Sequence, residues 1–369
     1  MNSKIKFKGL LTAFIMLISL ACLGGLFSYF ANDFKIDLKS INQGKANVDA
    51  YNAPYGPVII DLEGTQLADE EKILLLHPNV GGVILYSQNC SSKDQLKILV
   101  QSIRTIRKNI LIIVDQEGGY IQSFKKNGFR VLPAARVYGD TYDIHPETAL
   151  LLAKHYGAVM AKDLRECDVD ISLAPVLDLN NENTIISGMD RAFHSDPEIV
   201  FLLANAFIDG VRSMGMSVIG KHFPGHGSCE GDSHKTLPQY HINYSELEKK
   251  DLYPFIKLIS SKKLDGIMPG HILFPLIDKE NPVTFSKFWL QDKLRTEIGF
   301  NGVIISDCLS MTGAQLEGGV KNSVKNAFNA GNDMVILSKQ TRKDLIKILN
   351  FLSVHNLQSI RKIEQLKAK

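Results

Sequence analysis

Five cysteines are all this 369-residue chain has, and Cys22, Cys90, Cys167, Cys229 and Cys308 are scattered without a CxxC pair. That spacing indicates neither a zinc ribbon nor a disulfide framework. An excess of one charge is also missing, with 42 Lys and Arg against 39 Asp and Glu for a net +3. No basic stripe with interleaved aromatics occurs, so nucleic acid is set aside as a partner. HExxH is absent as well, which removes the simplest helical zinc pair. What is present is ordinary for a globular protein: 45% hydrophobic and 22% charged residues. The length suits one large domain or two medium ones.

Charge disappears altogether between Gly9 and Asn32, a stretch rich in Leu, Ile, Phe and Ala that follows Lys4, Lys6 and Lys8. A membrane-spanning helix takes ~20 apolar residues. Residues 1–31 are therefore expected to be an uncleaved membrane anchor, with the lysines inside and the rest outside. A cleaved signal peptide has a shorter apolar region and a small-x-small site, and Ser28-Tyr29-Phe30-Ala31 is a poor one. A lipoprotein box at Cys22 would have Leu where Ser19 stands. Both remain alternatives, and each leaves the protein membrane-anchored or secreted on the extracytoplasmic side of the envelope. Residues 32–55 are polar and lack a sustained period, as a linker does.

From residue 56 to 369 the pattern changes. Short β-branched runs occur at PVIIDLEG, GGVILYSQN, ILIIVDQEGG, VDISLAPVLDLN, MSVIGKHFPGHG, LDGIMPGHI, GVIISDCLS and DMVILS. They are nearly continuously apolar, as strands buried on both faces are. Between them lie stretches with helical spacing, such as SKDQLKILVQSIRTIRKN and PEIVFLLANAFIDGVRSMG. The alternation predicts a (β/α)8 TIM-type barrel as a single catalytic domain, with a doubly wound sheet as the runner-up. Asp61, Asn89, Asp115, Asp178, Lys221, His222, His271 and Asp307 each close an apolar run. In a barrel those strand ends converge on one face, where active sites form.

Three segments carry chemistry. Asp307 follows the strand run Val303-Ile304-Ile305-Ser306, and is either a helix N-cap or a carboxylate presented at the barrel mouth as a nucleophile. Asp115 and Glu117 precede Gly118-Gly119, a pattern that fits turn formation or the binding of sugar hydroxyls. The stretch KHFPGHGSCEGDSH brings together His222, His226 and His234. Pro224, Gly225 and Gly227 break the helix that two zinc-binding histidines at i and i+4 would share. Asp232 before His234 offers a simpler account, since an acid can orient an imidazole and favour its protonated form. That makes a proton donor and acceptor, on a loop whose glycines suggest movement over a substrate. His226 is left as loop structure.

The motifs VDQEGG, LAPVLDLN, DRAFHSDPE, KHFPGHG with its downstream DSH, IMPGH and GFNGVIISDCLSM occur in this order. Together they resemble glycoside hydrolase family 3, in its β-N-acetylglucosaminidase branch, over about residues 57–340. The resemblance implies a retaining exo-β-N-acetylglucosaminidase acting on terminal β-linked GlcNAc of peptidoglycan fragments. It implies Asp307 as nucleophile forming a covalent glycosyl-enzyme, and His234 as general acid/base paired with Asp232. Asp115, Arg191, Lys221 and His222 would contact sugar hydroxyls, with no metal and no cofactor. A monomer whose partners are a carbohydrate and, through the N-terminal segment, a membrane is expected. The chain departs from the family where Tyr120 and Ser123 replace arginines, Gln88 an arginine and Cys308 an aspartate. Lys125 and Lys126 are the nearby candidates to replace the lost charge. A catalytically weakened glycan-binding scaffold or sensor, a family member preferring another β-sugar, and a metallohydrolase are the rival readings.

Overall fold

The structure, a computed structural model, describes residues 55–181, 184–229, 231–315, 318–352 and 357–367. The expected anchor, and all of the linker except Tyr55, lie outside the described residues. Eight parallel strands close into a barrel in chain order: β1 (Val58–Asp61), β2 (Val80–Leu85), β3 (Leu111–Val114), β4 (Ile171–Ser172), β5 (Ser217–Phe223), β6 (Gly266–Pro269), β7 (Val303–Cys308) and β8 (Met334–Leu337). β1 also pairs with β8, Ile59 lying opposite Ile336, so no open edge remains and the doubly wound alternative falls. All eight apolar runs identified in the sequence supply one strand each.

Helices between the strands form the outer layer, among them α1 (Asp69–Leu76), α2 (Lys93–Ile106), α3 (Ala135–Ile144), α4 (Pro146–Arg165), α5 (Pro197–Ser213), α6 (Tyr253–Ser260), α7 (Gly319–Ala330) and α8 (Arg342–Phe351). Their starts follow from local chemistry. Ser92 accepts the Gln95 N–H and opens α2, whose Leu96, Leu99, Val100 and Ile103 face inward. Asp196 accepts the N–H groups of Glu198 and Ile199, and Pro197 occupies the first turn of α5. Pro costs nothing there, because that N–H has no helical partner.

Strand periodicity then decides what meets the barrel axis. Ile59, Ile84, Ile113, Ile219, Ile305 and Ile336 belong to the interior cluster, while Val58, Ile60, Val83, Ile112, Val218, Ile304 and Val335 pack outward against the helices. Side chains two residues apart in a strand share a face. Asp61, Asp115, Lys221, Asp307 and Ser338 each lie two residues beyond one of those inward isoleucines, and are carried into the mouth above them. At the opposite end, Tyr55 and, from the final helix α9 (Leu357–Lys367), Ile363 and Leu366 join the interior cluster and plug the barrel. Ser217 Oγ donates to the Leu366 carbonyl there at 2.6 Å. Among the described residues no helix is long and apolar enough to cross a membrane.

Candidate active site

A cavity of about 790 Å³ opens at the carboxyl ends of the strands, lined among others by Asp61, Asp115, Glu117, Arg191, Lys221, His222, Asp232, His234 and Asp307. That size is within the usual range for small-molecule sites. All seven site residues expected from the sequence meet at this one cavity. Of the eight polar strand-end residues, five line it: Asp61, Asp115, Lys221, His222 and Asp307. The other three are buried and serve it from behind or brace the fold. Asn89 donates to the Leu62 and Gly64 carbonyls. Asp178 and His271 support catalytic-face residues, as follows.

Lys221 is the centre of the charge network. Its Nζ lies 2.7 Å from Asp115 and 2.6 Å from Glu117, with the side chain only 3% exposed. Glu117 in turn receives Arg191 through two hydrogen bonds, Nε at 2.9 Å and Nη2 at 2.7 Å. Burial works against the charge on Lys221, but Asp115 and Glu117 outweigh it and raise its pKa. Burial likewise opposes ionisation of Glu117, yet Arg191 and Lys221 bring its carboxyl down to about 2. A charge this far from water persists only when paired in this way. The sequence offers Glu117 for turn formation or for binding sugar hydroxyls, and not for an ion-pair network. Its role as the clamp between Lys221 and Arg191 depends on contacts spanning 74 residues, for which one sequence carries no signal.

Beside this network, Asp178 gathers three donors. It accepts the backbone N–H of His222 at 3.1 Å and of His226 at 2.8 Å, and His222 Nδ1 is 2.7 Å away. A carboxylate can only accept, so Nδ1 of His222 carries the proton and the ring orientation is set. Burial would raise the Asp178 carboxyl, but the His222 charge and hydrogen bond lead the groups that hold it at about 2. His226 is more than loop structure. It lines the cavity, its ring stands edge-on to His222 at 6.0 Å, and burial lowers its pKa. The glycines around it serve packing: a side chain on Gly225 would strike Asp251, and one on Gly227 the Leu179 backbone.

Across the cavity, Asp307 sits within β7 and caps no helix. Its Oδ1 accepts the Cys308 N–H at 2.6 Å. Burial alone would raise this carboxyl, but His271, His222, the Cys308 N–H and Lys221 together hold it below the usual range. His271 is locked behind it, with Nε2 3.1 Å from the Cys308 carbonyl and Nδ1 2.8 Å from Thr284 Oγ1. Asp232 accepts both the His234 N–H and, from the ring, Nδ1, each at 3.0 Å. Nδ1 is thereby occupied, and Nε2 remains the nitrogen able to give or take a proton. The His234 side chain is 67% exposed at the rim.

The departures from the family pattern also gather here, since Gln88, Tyr120, Ser123 and Cys308 all line the cavity. Neither Lys125 nor Lys126 does, and Lys125 Nζ instead donates to the Gly119 carbonyl at 2.6 Å. Lys339, from the loop after β8, does line the cavity, and its backbone N–H donates to Asp61 at 2.9 Å. Cys308 Sγ lies 3.0 Å from Ser338 Oγ. Among the described residues, no three His, Cys, Asp or Glu are grouped to hold a metal ion.

An ionised carboxylate at the end of a barrel strand, facing the same cavity as an acid-oriented imidazole, is the equipment of a hydrolytic enzyme. Residues 45–366 match the glycosyl hydrolase family 3 N-terminal domain. A β-hexosaminidase of Nitrosomonas eutropha is 44% identical over 283 residues, 76% of this chain and 80% of that protein. One from Tolumonas auensis is 45% identical over 80% of this chain and 86% of its own length. The crystal structure of NagZ from Neisseria gonorrhoeae in complex with N-trifluoroacetyl-D-glucosamine superposes with a TM-score of 0.80 at 39% identity, over 86% of this chain and 91% of that one. The chain belongs to glycosyl hydrolase family 3 and is a glycoside hydrolase.

The depressed Glu117 carboxyl has a consequence for stability. Its folded value of about 2 against an ordinary 4.5 means the contribution is complete above about pH 4.5 and is lost as pH falls toward 2. Glu117→Gln is expected to cost about 2–3 kcal/mol near pH 7, with the gap to the parent closing on acidification. Urea denaturation at neutral pH and at pH 3 checks this; a gap that stays constant would contradict it.

Proposed function

We propose that this glycoside hydrolase is a retaining exo-β-N-acetylglucosaminidase that removes terminal β-linked GlcNAc from peptidoglycan fragments. The observation that carries the reading is the shared cavity of Asp307 and the Asp232–His234 pair. In the first step an Asp307 oxygen attacks the anomeric carbon, and His234 gives its Nε2 proton to the glycosidic oxygen as that bond breaks. A covalent glycosyl-aspartate forms and the aglycone leaves as an alcohol. In the second step His234 takes a proton from water, which attacks the same carbon and frees GlcNAc and Asp307. Two inversions at one carbon retain its configuration. Asp232 stabilises the imidazolium that is present before the first step and re-formed in the second.

Asp115, Arg191, Lys221 and His222 form the sugar-binding wall in this reading. Their mutual ion pairs and the Asp178 contact hold them in place before substrate arrives, so little reorganisation is left for the reacting complex. Asp61 lines the same cavity, with Oδ2 committed to the Lys339 N–H and Oδ1 3.3 Å from Arg342 Nη1. His271, His222, the Cys308 N–H and Lys221 outweigh burial and keep Asp307 ionised at neutral pH, as a nucleophile requires. Support for GlcNAc comes from the β-hexosaminidase relatives and from the N-acylglucosamine held by the gonococcal neighbour.

We also infer that residues 1–31 keep the enzyme on the extracytoplasmic side of the membrane, where peptidoglycan lies. The charge-free run from Gly9 to Asn32 behind three lysines supports this. Protease added to intact cells, and then to cells with permeabilised outer layers, should digest the barrel without lysis of the inner membrane. Digestion only after inner-membrane lysis would reverse the assignment.

Assays of the full-length chain on aryl β-GlcNAc and β-glucoside substrates, with and without chelator, test the central reading. GlcNAc release should survive chelation and fall by roughly a thousandfold or more in Asp307→Ala. His234→Gly should cripple poor leaving groups far more than activated ones. Loss on chelation would point to a metallohydrolase, preference for glucosides to another sugar. Binding of cell-wall fragments without turnover would favour the scaffold reading.

A further inference from the structure

His234 stands at the surface, and an exposed side chain cannot by itself hold the fixed geometry that proton transfer needs. What holds its backbone is the segment that follows Asp307. Thr312 Oγ1 donates to the His234 carbonyl at 2.8 Å, and the Gly313 N–H donates to the Ser233 carbonyl at 2.9 Å. The approach is close enough to crowd any side chain larger than that of glycine. A Cβ on Gly313 would lie 3.0 Å from the Thr236 carbonyl oxygen, 3.1 Å from that of Ser233 and 3.3 Å from the His271 side chain.

Both sides of this contact are referenced to the reaction centre. On one side the Met311 N–H returns to the Cys308 carbonyl at 3.1 Å, and that carbonyl also meets His271 Nε2, so the Thr312 turn is fixed relative to β7. On the other, the Asp232 carbonyl accepts the N–H groups of Lys235 at 2.8 Å and Thr236 at 2.9 Å, which makes residues 232–236 one compact turn. Met311 lines the cavity but Thr312 and Gly313 do not. The hydroxyl of Thr312 is therefore free of substrate and engaged with the backbone of the histidine itself.

We propose that Thr312 is a positioning residue: with Gly313 it latches the His234 turn to the segment behind Asp307, so that proton donor and nucleophile are held as one unit. The proposal rests on the reading of His234 as the acid/base. In this conformation the turn is tied at two successive residues.

The test compares full-length Thr312→Val, Thr312→Ser, Gly313→Ala and His234→Gly. For each, kcat/KM is measured on a β-GlcNAc nitrophenyl glycoside and on a GlcNAc disaccharide, whose sugar leaving group needs protonation. Thr312→Val should lose about tenfold on the disaccharide and less than about twofold on the nitrophenyl substrate, as removal of one neutral hydrogen bond at the donor does. Thr312→Ser, which keeps the hydroxyl, should stay near the parent on both. Gly313→Ala should show the same leaving-group dependence as Thr312→Val and carries the test should the valine variant not fold. Equal losses on both substrates, or none, in Thr312→Val and Gly313→Ala would overturn the latch. If His234→Gly itself lacks the dependence, the acid/base reading fails and the latch with it. If His234→Gly shows it and the latch variants do not, only the latch fails.

Discussion

Lys221 is a cation that water scarcely reaches, and the active face is arranged around that fact. Its ammonium must be neutralised locally, and Asp115 and Glu117 do so from the end of β3 and the turn beyond it. Glu117 then needs a second cation, which Arg191 provides from the long connection between β4 and α5. The chain of obligations fixes three separate segments against one another before any sugar is present. It also lowers the pKa of Asp307, for which Lys221 is one of several stabilising neighbours. Removing Lys221 would leave Asp115 without its cation and Glu117 with Arg191 alone, a larger penalty than the loss of one contact.

A second layer of residues sets orientations. Asp178 holds His222 by ring and backbone together, and Thr284 with the Cys308 carbonyl holds His271 behind Asp307. None of these polar atoms is spare, as buried donors and acceptors seldom are. His234, proposed as the acid/base, is the exception in being exposed. The Thr312–Gly313 contact compensates for that exposure by borrowing the rigidity of β7.

Much of this was legible in the sequence because it is local. Near-continuous apolar runs ending in polar residues located all eight strands, and a two-residue period carries Asp61, Asp115, Lys221 and Asp307 inward. Asp61 could have joined the expected site on that ground alone. The DSH turn was also local: an aspartate two residues ahead of a histidine can reach both its N–H and its Nδ1. Long-range pairings were not legible. The bridge from Glu117 to Arg191, the Asp178 hub, the place of His226 on the cavity wall and the arrival of Lys339 at the rim depend on how distant loops fold over the barrel. The close approach of Gly225 to Asp251 and of Gly227 to the Leu179 backbone was not legible for the same reason.

Asp307 is the side chain proposed to bond to the sugar. A 5-fluoro-GlcNAc glycoside with an activated leaving group forms the glycosyl-enzyme faster than water releases it, so the intermediate accumulates. Mass spectrometry of the intact enzyme and then of its peptic peptides should find one added fluoro-GlcNAc residue, on the peptide that contains Asp307. A label on another side chain, or turnover of such substrates with inverted configuration and no label, would contradict the account at its centre.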